Sequence, residues 1–95
     1  MKSNNLTAFE LTAESEPGTL PRILEYFALN STTPSTVWAR RNDDGSQKIY
    51  IEVEGLSDQR AYIIASKLAG IFTVNSATYV QNPVAELDGK SLKCA

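Results

Sequence analysis

Ninety-five residues, 42% hydrophobic and 21% charged, have the size and composition of one soluble globular domain with a single modest core. Nine Lys and Arg against eleven Asp and Glu leave a net charge of −2, which excludes the basic field that non-specific nucleic-acid binding requires. The absence of histidine and the single cysteine, Cys94, exclude the usual neutral-pH base, Ser-His-Asp and Cys-His centres, most zinc sites and an internal disulfide. Residues 1–5 are polar and are expected to be flexible. From Leu6 to Glu14 the chain alternates, with Phe9, Leu11 and Ala13 on one face and Glu10, Thr12 and Glu14 on the other, the period of a half-buried strand. Pro17-Gly18 marks a turn. Leu20, Ile23, Leu24 and Phe27 then form one stripe of an amphipathic helix, with Thr19 expected as its N-cap and Pro21 harmless in its first turn. Pro34 ends that helix by disfavouring α geometry at Thr33.

Ser35 to Arg41 alternates again, with Val37 and Ala39 on one side and Thr36, Trp38 and Arg40 on the other. Asn42-Asp43-Asp44-Gly45 reads as a hairpin turn, followed by a strand over Lys48–Glu54 in which Ile49, Ile51 and Val53 alternate with Tyr50, Glu52 and Glu54. Ser57 is an N-cap candidate for a second helix carrying Ala61, Ile64, Ala65 and Leu68, with Gly70 as its stop. A last strand is expected from Ile71 to Val80, and residues 82–95 are expected to be a disordered tail. The order strand, helix, strand, strand, helix, strand predicts an α+β, ferredoxin-like βαββαβ sandwich: a four-stranded antiparallel sheet with two helices on one face. Its edge strands should be the second and the last, and neither carries an interior proline to discourage pairing with another chain.

That fold hosts many functions, so the sites must discriminate. A metal-carrying version needs a Cys-x-x-Cys pair, which is absent. RNA binding would use Trp38 and Tyr50 on the open face, but Glu10, Glu52 and Glu54 share it and repel phosphate. An acylphosphatase-like phosphate cradle is contradicted by Glu16 and Pro17 in the first loop. Glu52 and Glu54 lie on a flat sheet without the cleft that general acid and base groups need. Arg40 and Arg41 point to opposite faces and so do not form a joint anion grip. No catalytic residue, metal or cofactor is therefore expected. No apolar run approaches a membrane span of about 18–20 residues, and no signal-peptide pattern opens the chain, so the protein is expected to be cytoplasmic.

The stretch Glu14-Ser15-Glu16-Pro17-Gly18-Thr19-Leu20-Pro21-Arg22-Ile23-Leu24-Glu25-Tyr26-Phe27 resembles the first loop and helix of an ACT domain. The family pattern there is an acidic residue or Asn, any residue, Pro-Gly, any residue, Leu, and an apolar helix ending near Phe. The resemblance extends through the hairpin and the second helix, so residues 6–81 are read as an ACT-like domain. Within the family, the stretch from Pro17 to Val53 resembles the short regulatory subunit of acetolactate synthase. The resemblance implies a non-catalytic regulatory module of amino-acid metabolism. Such a module forms a homodimer, binds an amino-acid ligand at the interface beside the first loop, and acts on a larger catalytic subunit.

Carried onto this chain, the resemblance implies a ligand site at Ser15, Glu16, Gly18, Thr19 and Leu20, together with Thr32 and Thr33 after the first helix. Ser15 stands where the family has Asp or Asn, Thr33 near a second Asn, and Ser31 at a glycine turn. Trp38, Tyr50, Thr36 and Thr12, on the open sheet face, are expected to form a subunit interface, since aromatic residues anchor such contacts. The alternative is an assembly subunit that has the same fold and binds no ligand.

Overall fold

A computed structural model describes residues 5–83. The elements follow the expected order: β1 (Leu6–Glu14), α1 (Thr19–Leu29), β2 (Thr36–Arg41), β3 (Ser46–Glu54), α2 (Asp58–Ala69) and β4 (Val74–Gln81). The four strands form one antiparallel sheet in the order β2-β3-β1-β4, with β2 and β4 at the edges. The fold is therefore the ferredoxin-like sandwich. The expectations for residues 1–4 and 84–95, including Cys94, lie outside the described residues.

Alternation in the strands decides which face is covered. Phe9, Leu11 and Ala13 of β1 and Ile49, Ile51 and Val53 of β3 are buried beneath the helices. Against them pack Ile23 and Phe27 of α1 and Ala61, Ile64, Ala65 and Leu68 of α2. Phe9 meets Phe27 edge-on within the core, with ring centroids 5.6 Å apart, a favourable quadrupole arrangement. β2 is different: all six of its residues are exposed, Val37 and Ala39 on the helix side included.

Five boundaries differ from the sequence reading: β2 starts at Thr36 rather than Ser35, β4 ends at Gln81 rather than Val80, and the starts of α1, β4 and β3 move for physical reasons. Thr19 is not the N-cap of α1 but its first helical residue. Gly18 takes the cap position without a side-chain hydrogen bond, and the Thr19 side chain turns inward, where its Oγ1 donates to Thr73 Oγ1 at 3.0 Å. β4 begins at Val74 rather than Ile71, because Ile71–Thr73 form a turn closed by Val74 N donating to Ile71 O at 2.9 Å. The β-branched and aromatic residues of that stretch resemble a strand, but β1 ends at Glu14 and offers no partner beyond Thr73. β3 starts at Ser46, two residues early. The hairpin is tight, with Gly45 at φ +92° and the Asp44 carboxylate accepting from both the amide and the hydroxyl of Ser46. Those two hydrogen bonds hold the Asp44 pKa below its ordinary value.

At the other end of the molecule, α1 closes with the hydrogen bonds of a Schellman motif. Thr32 N donates to Phe27 O at 2.9 Å and Ser31 N to Ala28 O at 3.0 Å. The residue that turns the chain is Ser31, at φ +57°, where glycine fits without Cβ strain. Ser31→Gly is accordingly expected to stabilise the domain by about 1 kcal/mol and raise Tm by about 4 °C or more. A thermal melt showing an unchanged or lower Tm would refute the strain at this position. α2 starts as the sequence indicates, with Ser57 Oγ accepting from the Arg60 amide.

Candidate effector site

The β1–α1 loop is held at one end of the sheet by the chain itself. Ser15 N donates to Gly45 O at 3.1 Å, Glu16 N to Glu14 O at 2.9 Å and Thr19 N to Glu16 O at 3.1 Å. A helix start normally offers several unpaired amides to an anion. Here Pro17 and Pro21 have none, and Thr19 and Arg22 donate to Glu16 O and Gly18 O, which leaves only the amides of Gly18 and Leu20. Gly18 has an ordinary φ of −84°, and a Cβ placed there would meet no atom within 4 Å. The single chain therefore does not require glycine at this position. The Thr19 hydroxyl is committed to Thr73 and the residue is buried, Leu20 is half-buried against the core, and Glu16 projects a carboxylate into solvent.

Thr32 and Thr33 lie at the opposite end of α1. Thr32 Oγ1 donates to Asn30 O at 3.0 Å, and Thr33 is exposed. Both line a cavity of about 550 Å³ between α1 and β2, with Leu24, Ala28, Ser31, Pro34 and Val37 as the other walls. A second cavity of about 280 Å³ adjoins it along Ser31–Thr33 and is bounded by Val53, Glu54, Gly55, Leu56 and Arg60. Eleven helical residues rising about 1.5 Å each put roughly 16 Å between the two groups of expected ligand residues. One chain therefore does not bring Ser15–Leu20 and Thr32–Thr33 together around a small molecule. Arg60, from the first turn of α2, and Glu54, from the end of β3, line the second cavity and are not among the ligand residues expected from the sequence. No local pattern marks them, because only the chain reversals at Ser31 and Gly55 set them beside Thr33.

On the open face, Trp38 of β2 and Tyr50 of β3 are directly paired in register. Their rings stack at 5.5 Å with 20° between planes, and the Arg40 guanidinium lies 5.9 Å from the Trp38 ring centroid. The Tyr50 hydroxyl donates to the Glu52 carboxylate, and burial together with that carboxylate raises the phenol pKa well above its ordinary value. Lys48 reaches Glu10 at 3.9 Å. Thr36 is exposed beside this group, opposite Glu52, whereas Thr12 lies on β1, half-buried and paired with Lys48 and Ser76. The four residues expected at an interface share one face, with Trp38 and Thr36 the more exposed.

Among the described residues, no group of His, Cys, Asp and Glu can hold a metal ion, and no helix is long and apolar enough to cross a membrane. The model of a family described as an ACT-like domain matches residues 1–85. The chain belongs to that family. Its backbone is similar to the crystal structure of the ACT domain from GTP pyrophosphokinase of Chlorobium tepidum. The TM-score is 0.68 at 15% identity, over 79% of this chain and 96% of that one. A solution structure of the same domain gives 0.60 at 16% identity, over 80% and 86%. The C-terminal domain of the MgtC protein from Mycobacterium tuberculosis gives 0.68 at 9% identity, over 85% and 90%. At such identities these likenesses concern the fold. No curated protein matches the sequence. As an ACT-like domain the chain is a regulatory type of module.

Proposed function

We propose that this ACT-like domain is a non-catalytic regulatory module that works as a side-by-side homodimer, with residues 6–81 as the working unit. It binds a small amino-acid effector at the junction of the two copies and thereby adjusts a larger enzyme of amino-acid biosynthesis in the cytoplasm, such as acetolactate synthase. The observation that carries this reading is β2, an edge strand exposed along its whole length beside the cavity that contains Thr32 and Thr33. An unpaired strand edge is a template for another strand, and a second β2 is a self-complementary partner for it. A two-fold axis normal to the sheet reverses strand direction between the copies. It therefore places the start of α1 in one copy beside the end of α1 in the other. Ser15, Glu16, Gly18, Thr19 and Leu20 of one copy then approach Thr32 and Thr33 of its partner, which accounts for two groups of residues standing apart within one chain. Trp38, Tyr50 and Thr36 come close to the junction on the open face, and Thr12 lies further out along it. Ligand occupancy at such a junction couples to subunit geometry, so it can bias a bound enzyme.

The second reading is an assembly subunit without a ligand. It is favoured by Glu16 and by the two prolines at the start of α1, which leave little to hold a carboxylate. A thermal-shift panel of the twenty amino acids separates the readings. A ligand that binds only the folded form adds about 2.7 kcal/mol at a hundredfold excess over its Kd, or about 10 °C in Tm for a domain of this size. The effector reading expects one amino acid, or a chemically related few, to produce such a rise, and Gly18→Trp to remove it without lowering the melting temperature of the free protein. A flat response at millimolar concentrations overturns it in favour of the assembly reading.

A further inference from the structure

We infer that the charged head of the effector is recognised by Arg60 and Glu54, so that the ligand is a zwitterion with a neutral, apolar side chain. The inference rests on the effector reading above and specifies its chemistry. The polar cavity of about 280 Å³ is lined by one cation and one anion, Arg60 and Glu54, together with the hydroxyl-bearing residues Ser31, Thr32 and Thr33. Arg60 and Glu54 are both exposed, and they form no ion pair with each other or with any other described residue. The guanidinium makes one long hydrogen bond, 3.5 Å to Asn30 O, and so retains donors for a carboxylate. Opposite charges on the walls of one small cavity, left apart from one another, are complementary to the carboxylate and ammonium of an α-amino acid.

The adjoining cavity sets the side chain. Its walls are Leu24, Ala28, Pro34 and Val37 with Ser31, Thr32 and Thr33, and no charged residue is among them. No charged wall residue is there to pair with a charged ligand side chain, whereas a branched aliphatic one meets Leu24, Ala28, Pro34 and Val37. The start of α1 is the poorer place for the carboxylate, since it offers two free amides and the opposing charge of Glu16. In a paired molecule the loop from the partner copy then closes over the ligand through Gly18, while the charged contacts come from the end of β3 and the start of α2.

L-leucine is a suitable probe, compared by calorimetry and thermal shift with L-leucinamide, 4-methylpentanoate and L-glutamate on the full chain. Wild-type protein is expected to bind L-leucine and to bind the three analogues at least tenfold more weakly. They lack the carboxylate charge, lack the ammonium, and carry a charged side chain, respectively. Arg60→Gln and Glu54→Gln are each expected to weaken L-leucine binding on the order of 10- to 100-fold. Both sites are exposed, so the melting temperature of the free variants should match wild type. If L-leucine binds and neither substitution affects it, or if another amino acid binds and L-leucine does not, the Arg60–Glu54 assignment is overturned while the effector reading stands. If none of the twenty amino acids binds, both are overturned.

Discussion

Replacing Phe27 by alanine is expected to destabilise the domain by about 3–5 kcal/mol and to lower its Tm by about 15 °C or more. Phe27 is fully buried, and its ring on α1 stands edge-on to Phe9 of β1 at 5.6 Å. Truncation removes the transfer free energy of the ring and leaves a void that closes poorly, because Phe9 beside it and Leu11 and Ile51 of the same core cluster are held by the sheet's backbone ladders. A domain of this size has a total stability of roughly 5–14 kcal/mol, so the loss is a large share of the whole. Phe72→Ala is the matched control: the same atoms are deleted from a side chain that is 98% exposed in the α2–β4 turn. Its effect is expected to stay within about 0.5 kcal/mol. Urea unfolding followed by Trp38 fluorescence measures both. A midpoint that falls for Phe27→Ala with an unchanged slope supports the packing account, and equal midpoints for the two variants would contradict it.

The double substitution Val37→Lys, Ala39→Lys is expected to separate the proposed homodimer into single copies. In one copy both residues are exposed on the helix side of an edge strand, so the monomer fold tolerates lysine there. In a side-by-side pair the two β2 strands meet, and four ammonium groups come together near the two-fold axis. Like charges placed opposite one another at an interface cost several kcal/mol, so association should weaken about 100-fold or more. Sedimentation velocity at tens of micromolar reads the outcome directly: a dimer for wild type and a monomer of unchanged melting behaviour for the variant. A monomeric wild type at that concentration would overturn the pairing, and a variant that remains dimeric would move the interface away from β2. If the effector site is shared between copies, a monomeric Ala39→Lys single variant, which leaves the cavity wall at Val37 intact, should also lose its response to the amino-acid panel.

The fold was legible because its signals are local and periodic. The period of two in Phe9-Leu11-Ala13 and Ile49-Ile51-Val53 and the helical stripe of Leu20, Ile23, Leu24 and Phe27 each report one buried face. Ser57 marks the start of α2 with the hydrogen bond its side chain makes. The family resemblance around Pro17-Gly18 was carried by contiguous residues in the same way, and the family match spans them. Two of the boundaries that shifted are places where two composition signals compete. Ile71-Phe72-Thr73 has strand composition yet forms a turn, because the length of β1 limits the pairing available to β4. Thr19 has the side chain of a cap yet is turned inward to Thr73.

By itself, then, the sequence determined the element order, the covered face of the sheet, the edge positions of β2 and β4, and membership of the ACT-like family, because each depends on neighbours within a few residues or on a contiguous motif. Only the tertiary structure decided three further matters. α1 holds Gly18 and Thr33 at opposite ends, β2 is left exposed on both faces, and Arg60 and Glu54 share one cavity with Ser31, Thr32 and Thr33. These depend on helix length, on how far α1 and α2 reach across the sheet, and on two chain reversals. Juxtapositions of that kind join residues that are distant along the chain and leave no periodic trace in it.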